Sequence, residues 1–424
     1  MKQIELFSSK IQFSAFIGII LMILAANLTY HYYDFKNFKA EPTRILNAKI
    51  LQAYEKINKK GKIYKVIKLK TNSFEFYTTS RKYVNLRADQ NVEIGVFTKN
   101  VKFKDYISKR FYMPNFKISP SLNASKKAGI FTNFKEKMIN FIVSQHENEK
   151  MREFYSTLYF ATDMSKELRA NVTNWGIAHI VSISGFHIGI IFSFIFITLL
   201  PIYRFFQNRY FPYRSAKIDI TNMIMIFLLI YLFVLDFTPS FLRSLAMCAV
   251  GYFFVLRNLK IINFMTLFLA IFLLVAIFPS LAFSLGFYFS SLGVLFIFIF
   301  LHHFWKNYNV ITATVLLNIY VFLCMNVPVY YFFPIITVQQ ISVIPLGYVF
   351  IVFYPLSVIL HLLGFGGILD EAMLNFLNFA LPNYQTDIPF LIFLTANICA
   401  ILGVRYHFFA VLCAIFGILP IFFI

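Results

Sequence analysis

Charge is scarce in this chain. Asp, Glu, Lys and Arg make up 14% of its 424 residues, against about a quarter in soluble domains, so a solvated surface around one large soluble core is excluded. Cysteine is scarcer: Cys248, Cys324, Cys399 and Cys413 all sit in apolar segments. That excludes a disulfide framework and any zinc-ligand spacing. No G-x-x-x-x-G-K-[ST] loop occurs, so no ATPase activity is expected of this chain. What remains is apolar: 59% of residues are hydrophobic and 55 are phenylalanine. Runs of roughly eighteen or more apolar residues recur, which marks a polytopic membrane protein.

The few charges are unevenly placed. Between His31 and Ala170 lie 28 of the 39 Lys and Arg against 13 acids, a net charge near +15. Such a block suits a solvated face, contact with anionic membrane lipids, or a polyanion such as nucleic acid, whose phosphates demand charge density. Lys62, Lys65, Lys68, Lys70, Arg81 and Lys82 are its candidate phosphate contacts.

Four regions follow from the pattern. Residues 1–32 form an anchor whose first helix, Ile11 to Tyr30, lacks a small-residue cleavage site, so it is expected to stay uncleaved. Residues 38–120 alternate like strands: Asn58-Lys59-Lys60-Gly61 and Thr71-Asn72-Ser73 break successive runs, and "NVEIGVFTKNVKFKDY" supplies two more. About five short strands predict a small extracytoplasmic β-barrel, OB-like, with a plain meander as the alternative. Residues 121–174 read as amphipathic helices of a linker at a membrane surface. Residues 175–424 are a transmembrane domain with spans near 177–203, 218–236, 240–257, 261–278, 281–301, 309–330, 335–363, 389–404 and 407–424. Basic residues cluster in the loop holding Arg204, Arg209, Arg214 and Lys217, in the Arg257/Lys260 loop, and at Lys306. Placing these loops in the cytoplasm puts the β domain outside. The acidic loop Gly364–Thr386 then breaks the alternation, and a broken or re-entrant stretch within 328–363 would restore it.

Three polar constellations interrupt the apolar segments. In "NWGIAHIVSISGFHIGI" a helix meets Ser182-Ile183-Ser184-Gly185, and Ser184 is placed to N-cap a second helix beginning Gly185-Phe186-His187. A half-helix N-terminus inside a membrane is an anion site, flanked here by His179 and His187. Histidines satisfied by neighbouring helices are the alternative. A metal pair lacks a third ligand, and Ser184 with a histidine lacks an acid. In "DFTPSFLRSLAMC", Thr238 and Pro239 read as N-cap and first residue of a helix. Arg243, a turn further, must snorkel, pair or line a wet path, because facing lipid at mid-bilayer costs about 2.5–3.5 kcal/mol. In "FPSLAFSLGFYFSSLGVLF", Ala282, Gly286, Ser290 and Gly293 make one small-residue face, for helix packing or a pore lining.

These strings together resemble the ComEC competence family. Gly176, His179, Ile183, Ser184, Gly185 and His187 match its Gly-x-x-His…Ile-Ser-Gly-x-His string. Ser240, Arg243 and Met247 match its Ser-x-x-Arg segment, and Pro279, Gly286, Phe287 and Ser290 its Pro…Gly-Phe segment. Tyr288 replaces the family's Gln, and Gln340 stands where an Asn begins the string that ends in Ile344-Pro345. No HxHxDH-type string of the metallo-β-lactamase-like domain of longer members occurs in this sequence, so no nuclease role is expected of it.

The resemblance implies a bacterial inner-membrane channel that passes single-stranded DNA in natural transformation, rather than an enzyme, with no cofactor and no metal. Its path residues would be His179, Ser184, Gly185, His187, Arg243, Gly286 and Ser290. Its partners would be a periplasmic or surface DNA-binding protein, a cytoplasmic helicase or translocase, and single-strand-binding proteins. The alternative from the same residues is an intramembrane hydrolase or acyl transferase using Ser184 and His187.

Overall fold

The computed structural model describes residues 9–57, 63–71, 73–80, 90–120, 130–258 and 263–423. The chain divides into two compact units. One comprises residues 5–128 and 268–285, the other residues 1–4, 129–267 and 286–424.

The first unit starts with α1 (Lys10–Ala40), N-capped by Ser9, whose side chain accepts from Gln12 N. Strands β1 (Thr43–Ile57), β2 (Ile63–Lys70), β3 (Glu75–Ser80) and β4 (Asn91–Phe97) follow, then α2 (Phe103–Ser108), β5 (Arg110–Tyr112) and β6 (Asn115–Pro120). Alternation sets the inner face: Ile50, Ile67, Leu69, Phe76, Val92, Ile94 and Val96 are fully buried. The foot of α1 closes this core, with Phe38 packed on Tyr106 and Phe74. Tyr106 donates to Asp34 (2.5 Å). Burial first, then that hydrogen bond, hold the Tyr106 hydroxyl above the usual phenol range. Asn27 further along α1 donates to the carbonyls of Ala276 (2.7 Å) and Ile277 (3.1 Å).

Two expectations change here. "VKFKDY" forms no strand; it enters α2, because Phe103, Tyr106 and Ile107 fall at helical spacing and Asp105 accepts from Lys102 N. The ladder also does not close into a barrel. Its order is β5-β3-β2-β1-β4-β6, a mixed sheet in which β3 and β5 run parallel. The two edge strands are nevertheless consecutive in the chain. Met113 N donates to Tyr77 O on one edge, and Phe97 N donates to Pro114 O on the other. Three-residue β5 and Pro114, which has no N–H to give, leave the two edges joined by chain rather than by ladder.

The second unit opens with α3 (Ile130–Val143), α4 (Glu149–Phe160), α5 (Lys166–Asn174) and the single turn α6 (Ala178–Val181). Then come α7 (Gly185–Tyr210), α8 (Ala216–Val234), α9 (Pro239–Leu256), α10 (Phe264–Ile277), of which residues 268–277 belong to the first unit, α11 (Leu285–His303) and α12 (Val310–Phe332). The chain ends with β7 (Ile335–Thr337), α13 (Val343–Leu362), α14 (Asp370–Asn378), β8 (Asn383–Gln385), α15 (Phe390–Gly403) and α16 (His407–Phe416). Among the described residues seven helices, counting α1, are long and apolar enough to cross a membrane, and three shorter apolar helices accompany them. The protein is therefore a multi-pass membrane protein.

Helices α3 to α5 are joined to the bundle by polar contacts and by apolar packing. Lys135 of α3 pairs with Asp236 in the α8–α9 turn (2.9 Å). Tyr155, Phe154, Leu158, Leu168 and Val172 of α4 and α5 form the heart of one buried cluster. Ile220, Ile224, Leu228 and Phe241 form another between α7, α8 and α9.

The stretch 333–342 breaks the helical run, as the acidic loop required. β7 pairs antiparallel with β8, Ile335 opposite Gln385. The chain leaves β7 through α13 and returns to β8 beside it.

Candidate functional site

Helix α6 ends at Val181 and α7 begins at Gly185, so Ser182, Ile183 and Ser184 form a break between two half-helices. Ser184 is the N-cap: its backbone is extended, and its Oγ accepts from Phe186 N (3.3 Å). His187 completes the cap, its Nδ1 accepting from Ser184 N (3.2 Å). Both reciprocal bonds satisfy donors that a helix start leaves free.

This geometry assigns the His187 proton. Nδ1 accepts, so the neutral ring carries its hydrogen on Nε2. Nε2 is buried without a hydrogen-bond partner, in a pocket walled by the rings of Phe350 (5.4 Å) and Tyr354 (5.0 Å) on α13. Ser184 and His187 are thus joined through backbone, and the Ser184 hydroxyl does not meet the imidazole as a nucleophile meets its base.

The break has an open side. His179, Ser182, Gly185, Phe186 and Gly189 are exposed on the surface of their unit. His179 makes only a local bond, its Nδ1 lying 3.1 Å from the Gly176 carbonyl. Polar groups cannot face hydrocarbon, so this side must meet protein or water.

Arg243 is buried in the second turn of α9, after a helix start at Thr238-Pro239. It rests on Gly286 near the start of α11. A Cβ on Gly286 would lie 2.7 Å from Arg243 Nη2, so only glycine leaves the guanidinium its place. The next residue, Ser244, touches the break itself: a Cβ on Gly185 would lie 3.2 Å from Ser244 Oγ. Gly185, Ser244, Arg243 and Gly286 therefore form one continuous contact across α7, α9 and α11. Ser290, one turn beyond Gly286, is half-buried.

A residue that sequence reasoning undervalued holds the second break. Gln340 is buried, and its Oε1 accepts from Tyr330 Oη (2.6 Å) and Thr337 N (3.3 Å). Its Nε2 donates to the Ile335 carbonyl (3.1 Å) and the Thr173 carbonyl (3.3 Å). Gly176 lies against it at φ +69°, a conformation that suits glycine, and a Cβ there would come within 3.3 Å of Gln340. Adjacent Gln339 donates to Phe379 O (2.9 Å) and accepts from Leu381 N (3.0 Å). Paired glutamines inside an apolar run were the available signal.

In the first unit, of the candidate cations, Lys65, Lys68 and Lys70 are described, while Lys62, Arg81 and Lys82 lie outside the described residues. Lys68 and Lys70 alternate with buried Ile67 and Leu69, so both project from the outer face. Lys65 shares the parity of Ile67 and stands apart from them. The register adds neighbours on that outer face: Lys49 opposite Lys70, Tyr77 opposite Lys68, and Tyr112 opposite Tyr77. Arg110 and Lys68 both reach Glu75, at 3.5 and 3.2 Å. Cations interleaved with tyrosines make a surface on which phosphates and bases can both be held.

Among the described residues no group of three or more His, Cys, Asp or Glu is placed to hold a metal ion. The void enclosed by Leu292, Phe296, Cys324, Val327, Ala396 and Phe416 leaves about 0 Å³ for a water molecule, so it is not a passage. The family model described as "Competence protein" matches residues 160–421, the stretch holding both helix breaks and Arg243. No curated protein and no solved structure matches the chain.

Proposed function

The chain belongs to the competence protein family, with a role in DNA uptake, and from that premise we propose that it conducts single-stranded DNA across the cytoplasmic membrane in natural transformation. One observation carries the reading. The N-terminus of a 26-residue helix opens onto an exposed break, and a buried arginine lies one residue from its contact with α9. Amides at a helix start and a nearby guanidinium favour anions. Each is neutral or laterally held, so a phosphate meets it weakly and moves on, as conduction requires.

The strand would reach the break after capture on the outer face of the β sheet. Lys49, Lys68, Lys70 and Arg110 would release counterions, while Tyr77 and Tyr112 offer stacking of about 1–3 kcal/mol per base at a tight site. In this reading the sheet is OB-like in role and lies outside the membrane, with the basic loops near Arg204–Lys217 in the cytoplasm. A periplasmic or surface DNA-binding protein would deliver the strand. A cytoplasmic helicase or translocase and single-strand-binding proteins would draw it in.

Labelled DNA given to a deletion strain tests this. Loss of the chain should leave label outside the cytoplasm, and wild type but not Arg243→Ala should restore transfer. Normal transfer by an Arg243→Ala protein of wild-type abundance would overturn the assignment of Arg243.

A further inference from the structure

A second polar cluster lies in the α3-to-α14 half of the bundle, away from the break. His146, at the α3–α4 corner, and His361, near the end of α13, are buried. Their Nε2 atoms face each other at 3.0 Å. His146 Nδ1 lies 2.9 Å from both carboxylate oxygens of Asp370, the first residue of α14. His361 Nδ1 lies 2.6 Å from the Ser357 carbonyl oxygen.

These distances count the protons. A carbonyl only accepts, so His361 Nδ1 carries a hydrogen. The Tyr159 proton is not available to that nitrogen, because Tyr159 Oη donates to Ser357 Oγ (2.8 Å), which in turn donates to the Tyr354 carbonyl. The 3.0 Å contact between the two Nε2 atoms takes one hydrogen; the Asp370 carboxylate against His146 keeps the positive charge on that ring, so neutral His361 presents a lone pair at Nε2 and His146 donates to it from its own Nε2. With that hydrogen spent, the contact from His146 Nδ1 to Asp370 still needs another. The cluster thus holds one proton more than two neutral imidazoles and a carboxylate, with no net charge.

We infer that His146, His361 and Asp370 form a binding site for a single proton that clamps the end of α13 to the α3–α4 corner. Removing the proton sets the Nδ1 lone pair against a carboxylate, and the His146–Asp370 contact fails. Adding a second sets two N–H groups nose to nose, and the His146–His361 contact fails. The clamp is closed over a pH window and opens on both sides of it. Asp370, whose side chain is 17% exposed, is the port by which the proton exchanges.

The other groups facing the cluster do not replace this proton. Arg152 spends its Nε on the His146 carbonyl (2.7 Å). Tyr155 stacks flat on His146 at 4.6 Å, and burial, with the Asp370 charge behind it, pushes its hydroxyl up and keeps it protonated. Gln145 fastens the same corner, donating to the His361 carbonyl (3.0 Å) and accepting from Gly366 N (2.8 Å). What the clamp steadies is α13, the helix whose Phe350 and Tyr354 wall in His187.

Solid-state NMR of the full chain, with ¹⁵N-histidine in lipid nanodiscs and no DNA, tests the proton count. One imidazolium signal should be present and vanish in His146→Gln. A neutral Nδ1–H signal should vanish in His361→Gln. In Asp370→Asn the amide donates to Nδ1, so the imidazolium should be lost while the clamp holds. A neutral His146 in the wild type, which needs no variant to observe, overturns the inference. So does an imidazolium that survives Asp370→Asn. Signals shifted by a chelator and restored by zinc would make the cluster a metal site and overturn it equally.

Spin labels at Glu147→Cys and Leu363→Cys, with the four native cysteines replaced, read the clamp. One narrow distance should broaden at both pH extremes, and Asp370→Asn should remove the alkaline broadening alone. Distances indifferent to pH would overturn the clamp. Neither reading depends on what passes the helix break.

Discussion

The two helix breaks of the bundle are built differently. The break at 333–342 is buried and stitched from several directions: Gln340 bonds Tyr330, Thr337, Ile335 and Thr173, and Gln339 bonds Phe379 and Leu381. The break at 182–184 satisfies itself through Ser184 and His187 and leaves its other side exposed. Irregular backbone at membrane depth is tolerated where protein or water covers it. The break at 333–342 is covered by protein, so it joins segments. The break at 182–184 has a side that, under the proposed function, a polar visitor would meet.

Replacing Gln340 with leucine should sharpen that contrast most. Tyr330 Oη and several backbone groups would lose partners inside the protein, a loss of roughly 3 kcal/mol or more. Thermal unfolding in detergent should move down and membrane abundance should fall, with uptake following abundance. An abundant, stable variant that fails in uptake would instead move Gln340 into the path.

Gly286→Val should act on the open break without unfolding the chain. The added carbons collide with the Arg243 guanidinium, so transfer to the cytoplasm should drop by about tenfold or more, the scale of one displaced charge-assisted contact, at normal abundance. Transfer unchanged in that variant would mean Arg243 serves packing alone.

Ser184 separates a cap from a nucleophile. Ser184→Ala should lower stability by about 1 kcal/mol, and Ser184→Asn, an equally good cap, should restore both stability and uptake. Loss of function in both, with normal folding, would revive the hydrolase or acyl-transferase alternative.

The smallest effect is expected on the sheet. Lys68→Ala with Lys70→Ala should flatten the salt dependence of single-stranded DNA binding by the full chain, lowering the logarithmic slope by about 1.4. An unchanged slope would take both lysines off the binding face.

Local chemistry was legible in the sequence and long-range chemistry was not. Ser184 and Thr238-Pro239 announce helix starts within a few residues, and the structure has both. The sheet's inner face followed from alternation. The outer face did not, because a register shift between Ile50 and Gln52 decides which β1 residues join Lys68 and Lys70. "VKFKDY" suits a strand by its apolar spacing and enters a helix instead, because a six-residue helix and a strand share such short spacing. Arg243 meets Gly286 from another helix, and His146 meets Asp370 across 224 positions. No periodicity spans such distances. His146 sits in a charged stretch, "SQHENEK", of the segment expected to form amphipathic helices, and nothing in that stretch points to His361.

The central claim is that a polyanion meets the open helix break. A photoreactive amino acid at Phe186, exposed beside the cap, and another at Ile197, 71% exposed further along the same helix, would be irradiated during uptake of labelled DNA. The account expects single-stranded DNA to be trapped at 186 and lipid at 197. Lipid at both positions, in cells that are taking up DNA, would contradict it.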